Sequence, residues 1–333
     1  MSGQEQKQAG AYSLPQMNWW VGTVINRSDP KMVGRCTVRI RGYHTKDKGE
    51  IPDADLPWAI PIQKSTSAAM SGIGESPTGF VEGTTVVGYW GDGRQAQMPV
   101  IFGSMIGTPA PANPEDGFDD PNGKYPSYDP GEPDTNRLAR NEKIDQTIVQ
   151  TKLDNLDESE ISQFSESGER PKWKEHPTQY AAKYPFNHVR ESECGHVMEV
   201  DDTGGAERLS TWHKSGTFQE TDPQGIQVEK IMKDNYQIIM KDNYQHIYGD
   251  TKFTCEQNEN YLIKANQTIE IAGNVERIIH QNYQLKVMGD MVLEVKGDLT
   301  FKVGGDFVQN TEKSYKLDTA NDEIHVASAI HLN

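Results

Sequence analysis

A chain of 333 residues has room for two or three domains, yet only 35% of it is hydrophobic and 25% is charged. It cannot be compact core throughout, so it either extends or buries its apolar faces against other chains. A net charge of −16 argues against a nucleic-acid surface, which is built from clustered Lys and Arg. Cys36, Cys194 and Cys255 stand apart without CxxC spacing and read as free buried thiols of a protein made in a reducing cytosol. No apolar run approaches the ~20 residues of a membrane span. The N-terminal MSGQEQKQAGAYS lacks the basic and apolar regions of a signal peptide, so cytoplasmic synthesis is expected.

Residues 1–18 read as a polar arm. Residues 19–25 (WWVGTVI) then predict a strand, closed by the turn-rich cluster 26–30. From 33 to 41 the residues Val33, Arg35, Thr37 and Arg39 alternate with Cys36, Val38 and Ile40, which predicts a half-buried strand with one wet, basic face. Residues 56–60 form a third apolar run, 64–83 a Ser/Gly-rich loop, and 84–90 and 97–102 two strands joined by a tight turn at 91–93. Five short strands without a helix signal in 19–107 predict a small closed barrel of the OB type. Such barrels often bind oligonucleotides, and Arg35, Arg39, Arg41 and Tyr43 invite that reading. The overall charge and the lack of an aromatic-rich basic face favour a solvated or partner-facing strand.

GTV at 22–24, GRCTVRIRG at 34–42, LPW at 56–58, GTTVVGYW at 83–90 and GDG at 91–93, with Phe102-Gly103 before Gly107, carry a resemblance. Together they resemble the N-terminal OB domain of the central baseplate spikes of long-tailed contractile phages, whose bacterial relative is the type VI secretion spike. The resemblance implies an all-β protein: an OB barrel, a connector, and a C-terminal trimeric triple-stranded β-helix. A secretion spike carries hub domains ahead of its barrel, and only a short arm precedes Trp19, so the phage spike is the preferred reading.

Residues 108–193 begin dense in Pro, Gly and Asp and predict an extended connector, with a short helix near 134–156 capped by Asp134 or Thr135. Some spikes of the resembled family carry a lysozyme domain here, which would use a carboxylate pair. Glu142, Asp145, Glu158 and Glu160 lie in no apolar frame that would raise one pKa, so no enzymatic activity is expected. The connector is read instead as a strap around the assembly.

Residues 194–230 read as paired strands that open the helix, with a turn at 202–205. GHVMEVDDTGG at 195–205 and HKSGTF at 213–218 again resemble the spike family. His196 and His213 have no zinc-like spacing and no neighbouring nucleophile, so they are read as structural.

From 231 to 320 the chain repeats every eight residues. Asp or Asn stands at 234, 242, 250, 258, 266, 274, 282, 290, 298 and 306, and Ile, Val or Cys stands three residues before each. Gly249, Gly273, Gly289, Gly297 and Gly305 precede the acid or amide, as before Asp290, Asp298 and Asp306; they are expected to supply turns that tolerate positive φ. Odd positions are apolar and even ones polar, most clearly from Tyr283 to Phe307, which is the two-residue period of a strand with one dry face. The expected core comprises Ile263, Ile271, Ile279, Leu285, Val287, Leu293, Val295, Leu299, Phe301, Val303 and Phe307. About three apolar side chains per octad make a thin core for one chain, whereas three intertwined chains share an axis and close every sheet edge. One strand spacing of about 4.8 Å per octad gives a needle roughly 60 Å long. In the upper octads Asn235, Gln237, Asn243 and Gln245 fall on the odd side, so either amides line the axis there or the phase shifts before Ile247.

Residues 321–333 are the expected tip. Some resembled spikes hold a metal there with an HxH motif; His325 and His331 are six apart, so that motif is absent, though imidazoles gathered on an axis suit Fe or Zn. No other cofactor is expected. The resemblance implies a homotrimer in the virion tail baseplate, seated on a trimeric hub at the OB end, with a small tip protein at the C-terminus and transient contact with the host outer membrane. The rival readings are a peptidoglycan hydrolase and an OB-fold nucleic-acid binder.

Overall fold

The computed structural model describes residues 17–68, 70–106, 133–157 and 173–318. The chain divides into two units, Met1–Glu256 and Gln257–Asn333. Among the described residues, all ten strands lie in the first, the helices are few and short, and the protein is mostly β.

Strands β1 (Trp19–Asn26), β2 (Cys36–Ile40), β3 (Trp58–Pro61), β4 (Thr85–Trp90) and β5 (Pro99–Ser104) form a closed OB-like barrel in the order β1-β2-β3-β5-β4. The parallel contact of β3 with β5 closes it. Inward residues of each strand, among them Trp20, Val24, Val38, Ile40, Val86 and Ile101, fill one core. Gly88 lets β4 pass between its neighbours: a Cβ there would lie 2.1 Å from the Val100 carbonyl oxygen and 2.3 Å from the Trp20 ring.

The basic strand departs from expectation. All five residues of β2 are buried, Arg39 included. The Arg39 guanidinium donates to the carbonyls of Thr45 and Ile51, both at 2.7 Å, and to Asp53 at 2.9 Å, so it ties the loop after β2 to the barrel. Arg35 is held by Asp29 at 2.6 Å and stacks over Trp58. A buried cation keeps its charge only when paired and hydrogen-bonded, and these arginines are consumed in that way. They are not a wet basic face.

The second half of the first unit is an antiparallel meander of β6 (Asn187–Glu191), β7 (Val197–Asp201), β8 (Arg208–Trp212), β9 (Phe218–Thr221) and β10 (Gln227–Lys230), in the spatial order β10-β9-β8-β7-β6. Each of its four hairpins contains a glycine with left-handed φ: Gly195, Gly205, Gly216 and Gly225. One face is covered by α1 (Arg137–Arg140) and α2 (Ile148–Asp154), whose Leu138 and Val149 pack with Val197, Trp212 and Phe218. Residues 133–157, read from sequence as part of an extended connector, are therefore folded onto the sheet. Their few apolar residues suffice because the sheet supplies the other half of the core. Asn136, rather than Asp134 or Thr135, caps α1, accepting from the Leu138 amide at 2.9 Å; Thr147 caps α2.

From 231 to 318 no described residue lies in a paired strand. The backbone is extended and bends at 232–233, 240–241, 248–249, 256–257, 264–265, 272–273, 280–281, 288–289, 296–297, 304–305 and 312–313. The five repeat glycines occupy the second position of their bends, and none adopts a left-handed φ. Lys233, Gln257, Ala265 and Gln281 fill the same position in other bends, so the corner needs no positive φ.

Candidate functional site

The repeat stretch presents its side chains outward almost without exception. Among the described residues of 231–318, only Ile231 and Thr254 are not exposed. The eleven expected core residues, from Ile263 to Phe307, retain 43–68% of their accessible surface. Even-numbered Met288, Val292 and Val308 retain 86, 88 and 73%. Across the eleven expected positions the odd side is the more sheltered one, while even-numbered Met232 and Ile278 retain 42 and 44% and odd-numbered Tyr261, Ile269 and Val275 retain 81, 69 and 66%. Higher up, Ile239 and Ile247 (43 and 48%) are likewise more sheltered than Ile238, Met240 and Tyr248 (80, 92 and 98%). The eight-residue spacing of bends is unbroken here, so no phase shift intervenes, and Asn235, Gln237, Asn243 and Gln245 share the side of Ile239 and Ile247.

Above the repeat, the sheet carries a buried ionic cluster that sequence reading missed. Residues 197, 199 and 201 of β7, 208, 210 and 212 of β8, and 218 and 220 of β9 face the helices. Arg208 donates to Glu199 at 2.8 Å and to Glu220 at 2.7 Å. Lys152, reaching in from α2, donates to Glu220 at 2.6 Å and to Ser210 at 3.0 Å, with its ammonium 4.6 Å from the Phe218 ring centre. Thr178 donates to the same Glu220 carboxylate, and Asn187 to Glu199. Burial alone would raise the Glu220 pKa, but Lys152 and Arg208 outweigh it and hold the carboxyl below its usual range. His176 meets Asp222 at 2.9 Å on the next turn of the same face.

The charged groups of the cluster are held by one another. A Lys beside a Ser resembles a nucleophile and its base, but the Lys152 ammonium is bound to a carboxylate, and both side chains are buried beneath α2. Of the connector carboxylates, Glu142 pairs with Arg140 at the surface, Asp145 is exposed, and Glu158 and Glu160 lie outside the described residues.

The register of β7 with β8 places His196 opposite His213, and their rings lie 4.5 Å apart. Nδ1 of His196 accepts from the Lys214 amide at 3.4 Å, and Nδ1 of His213 from the Ser215 amide at 3.1 Å. Each Nδ1 is thereby engaged as an acceptor of a backbone amide. Among the described residues no group of three or more His, Cys, Asp or Glu is arranged to hold a metal. His325 and His331 lie outside the described residues.

An OB-like barrel at the N-terminal end of a mostly β chain is the feature by which relatives are found. A family profile described as the Gp5 N-terminal OB domain matches residues 42–180, from just after β2 through both helices. The chain is 43% identical over 253 residues to Protein Gp5 of Vibrio phage KVP40, covering 68% of this chain and 60% of that one. It is also 43% identical over 116 residues to the pre-baseplate central spike protein Gp5 of Enterobacteria phage T4, covering 33% of this chain and 20% of that one. These similarities bear out the resemblance to phage central spikes read from the barrel motifs. The chain spans about three-fifths of the length of its Vibrio phage relative and a fifth of its T4 relative.

Proposed function

We propose that this protein is the central spike of a contractile tail baseplate, a structural needle that punctures the host envelope and plugs the tail tube. The observation that carries the reading is the state of 231–318: bends every eight residues, no paired strand among the described residues, and a row of Ile, Val, Leu and Phe left exposed on one side. Burying such a side chain contributes about 1.5–3 kcal/mol, and a backbone without a ladder needs partners for its amides. Two further copies supply both, in a homotrimeric triple-stranded β-helix whose dry side is the odd one and whose corners hold the repeat glycines. Its stiffness follows from strand bonding along the whole axis.

The barrel would seat this needle on a trimeric hub, and the C-terminal end would meet a small tip protein and then, transiently, the outer membrane. The mechanism is mechanical: sheath contraction drives the tube, and the needle leads. No catalytic role and no resident cofactor are assigned, and Fe or Zn at His325 and His331 belongs to the tip alone. The relatives' names favour a phage spike over a secretion spike. Immunogold labelling of intact virions tests the placement. Label at the baseplate end of the tail supports it; label confined to the head, or absence from virions, refutes it.

A further inference from the structure

We propose that the turn after β2 (residues 41–45) is a proton-sensitive latch, closed over Trp90 at one end of the barrel while the His44 ring is neutral and released when that ring is protonated. Nothing in this device depends on the spike reading.

β2 and β4 both run antiparallel to β1, so their last residues, Ile40 and Trp90, lie at the same end of the barrel. The chain leaves β2 there in a tight turn, with the Tyr43 and His44 amides donating to the Ile40 carbonyl at 3.3 and 2.9 Å. The turn lays two rings against the buried Trp90 indole, both edge-on: Tyr43 with centroids 5.1 Å apart and His44 at 6.5 Å. His44 also closes a second bond, its Nδ1 accepting from the Ile40 amide at 2.9 Å. β3 pairs with β2 at Cys36 and Thr37 and no further, so His44 supplies the acceptor that the buried Ile40 amide needs. Beyond the turn, the buried Arg39 guanidinium holds Thr45, Ile51 and Asp53. That anchor confines any movement to the turn itself.

Two features make the latch answer to protons. An imidazolium has no acceptor, so protonation turns the bond between Nδ1 and the Ile40 amide into donor against donor. The ring is also half-buried beside a fixed charge: burial first, and the Arg39 guanidinium second, hold its pKa below the ordinary 6.5, against a smaller pull from the Val38 carbonyl. Arg39 is the charged group that acts on the ring from β2. Asp53 of the loop is turned to Arg39 and Lys48, and β4 meets the ring with the Trp90 indole, which does not titrate. A ring swung out into water escapes both burial and Arg39, so the open turn binds the proton more readily than the closed one. The closed form is therefore fully stable above pH 6.5 and loses stability as pH falls below it, ahead of the usual carboxylate range. Release uncovers Trp90, so the barrel presents a different surface at this end in neutral and in mildly acid surroundings.

Hydrogen exchange of the full chain at pH 7.5 and pH 5.5, corrected for the intrinsic pH dependence of exchange, tests this. Peptides covering 40–45 should lose protection about three- to tenfold at the lower pH, tenfold being roughly the limit for one group a pH unit below its ordinary value. Peptides within β1 and β4 should keep theirs. His44→Asn puts Oδ1 in the place of Nδ1, an acceptor that does not titrate, and should show the same protection of 40–45 at both pH values. Equal protection of 40–45 in the wild-type chain at the two pH values overturns the inference, whatever the variant does. So does acceleration spread evenly over the barrel strands, or a pH response that persists in His44→Asn.

Discussion

Replacing Lys152 by Met removes one ammonium and little volume. The Met side chain keeps the packing against Phe218, so the loss is electrostatic: a 2.6 Å bond to Glu220 and a 3.0 Å bond to Ser210. Glu220 retains Arg208 at 2.7 Å and Thr178 at 3.0 Å, which softens the penalty of an orphaned buried carboxylate. Breaking a buried pair costs about 3–5 kcal/mol, and with those surviving partners the lower end, ~3 kcal/mol, is expected. Lys152 is the link by which α2 is fastened to the sheet's ionic cluster, so the cost falls on local opening of the helices. Hydrogen exchange of peptides covering 137–154 should accelerate about a hundredfold, since each ~1.4 kcal/mol is a factor of ten. Exchange within twofold of wild type would show that the cluster does not hold the helices down.

Other expectations follow from the same geometry. Leu293→Asp places a charge on the sheltered side of the octads, three to an axis in the trimer; unpaired buried charge is costly, so gel filtration should show no trimer. Full-strength trimer from that variant would mean the parity is wrong. Gly88→Ala drives a methyl into the Val100 carbonyl and the Trp20 ring, and overpacking of this kind costs about 1–3 kcal/mol or more. A lowered barrel melting transition by tryptophan fluorescence is expected, and an unchanged one contradicts the close approach. The Glu220 carboxyl lies below its ordinary value of 4.5 in the folded chain, so its contribution is complete above that pH and is lost as pH falls through the lowered folded value. Helix protection should therefore hold at pH 5 and weaken only below the usual glutamate range; weakening that begins near neutrality would contradict the assignment.

The barrel was legible because its strands are short apolar runs and its turns are marked by Gly and Asp. The octads were legible as a period, since identity at every eighth residue survives any error of local propensity. Two things were hidden. Alternation reports that two faces differ but not which is buried: in Val197-Met198-Glu199-Val200-Asp201 both parities contain aliphatic residues, and the acids went inside because Arg208 and Lys152 arrive from elsewhere in the chain. Arg39 looked wet for the same reason, since its partners Thr45, Ile51 and Asp53 lie in a loop with no pattern of its own. Of the helices only one short segment near 134–156 was read, because α1 has four residues and α2 seven, too short for a helical period to show. Glycine marked several corners, and the bend that Lys233 and Ala265 also make requires no positive φ.

The central claim is that the exposed odd side of 231–318 is covered by two further copies of the chain. Analytical ultracentrifugation of the full-length protein at micromolar concentration tests it most directly. The account predicts a single species at three times the 37.3 kDa chain mass, persisting on dilution. A monomer at that concentration would contradict it.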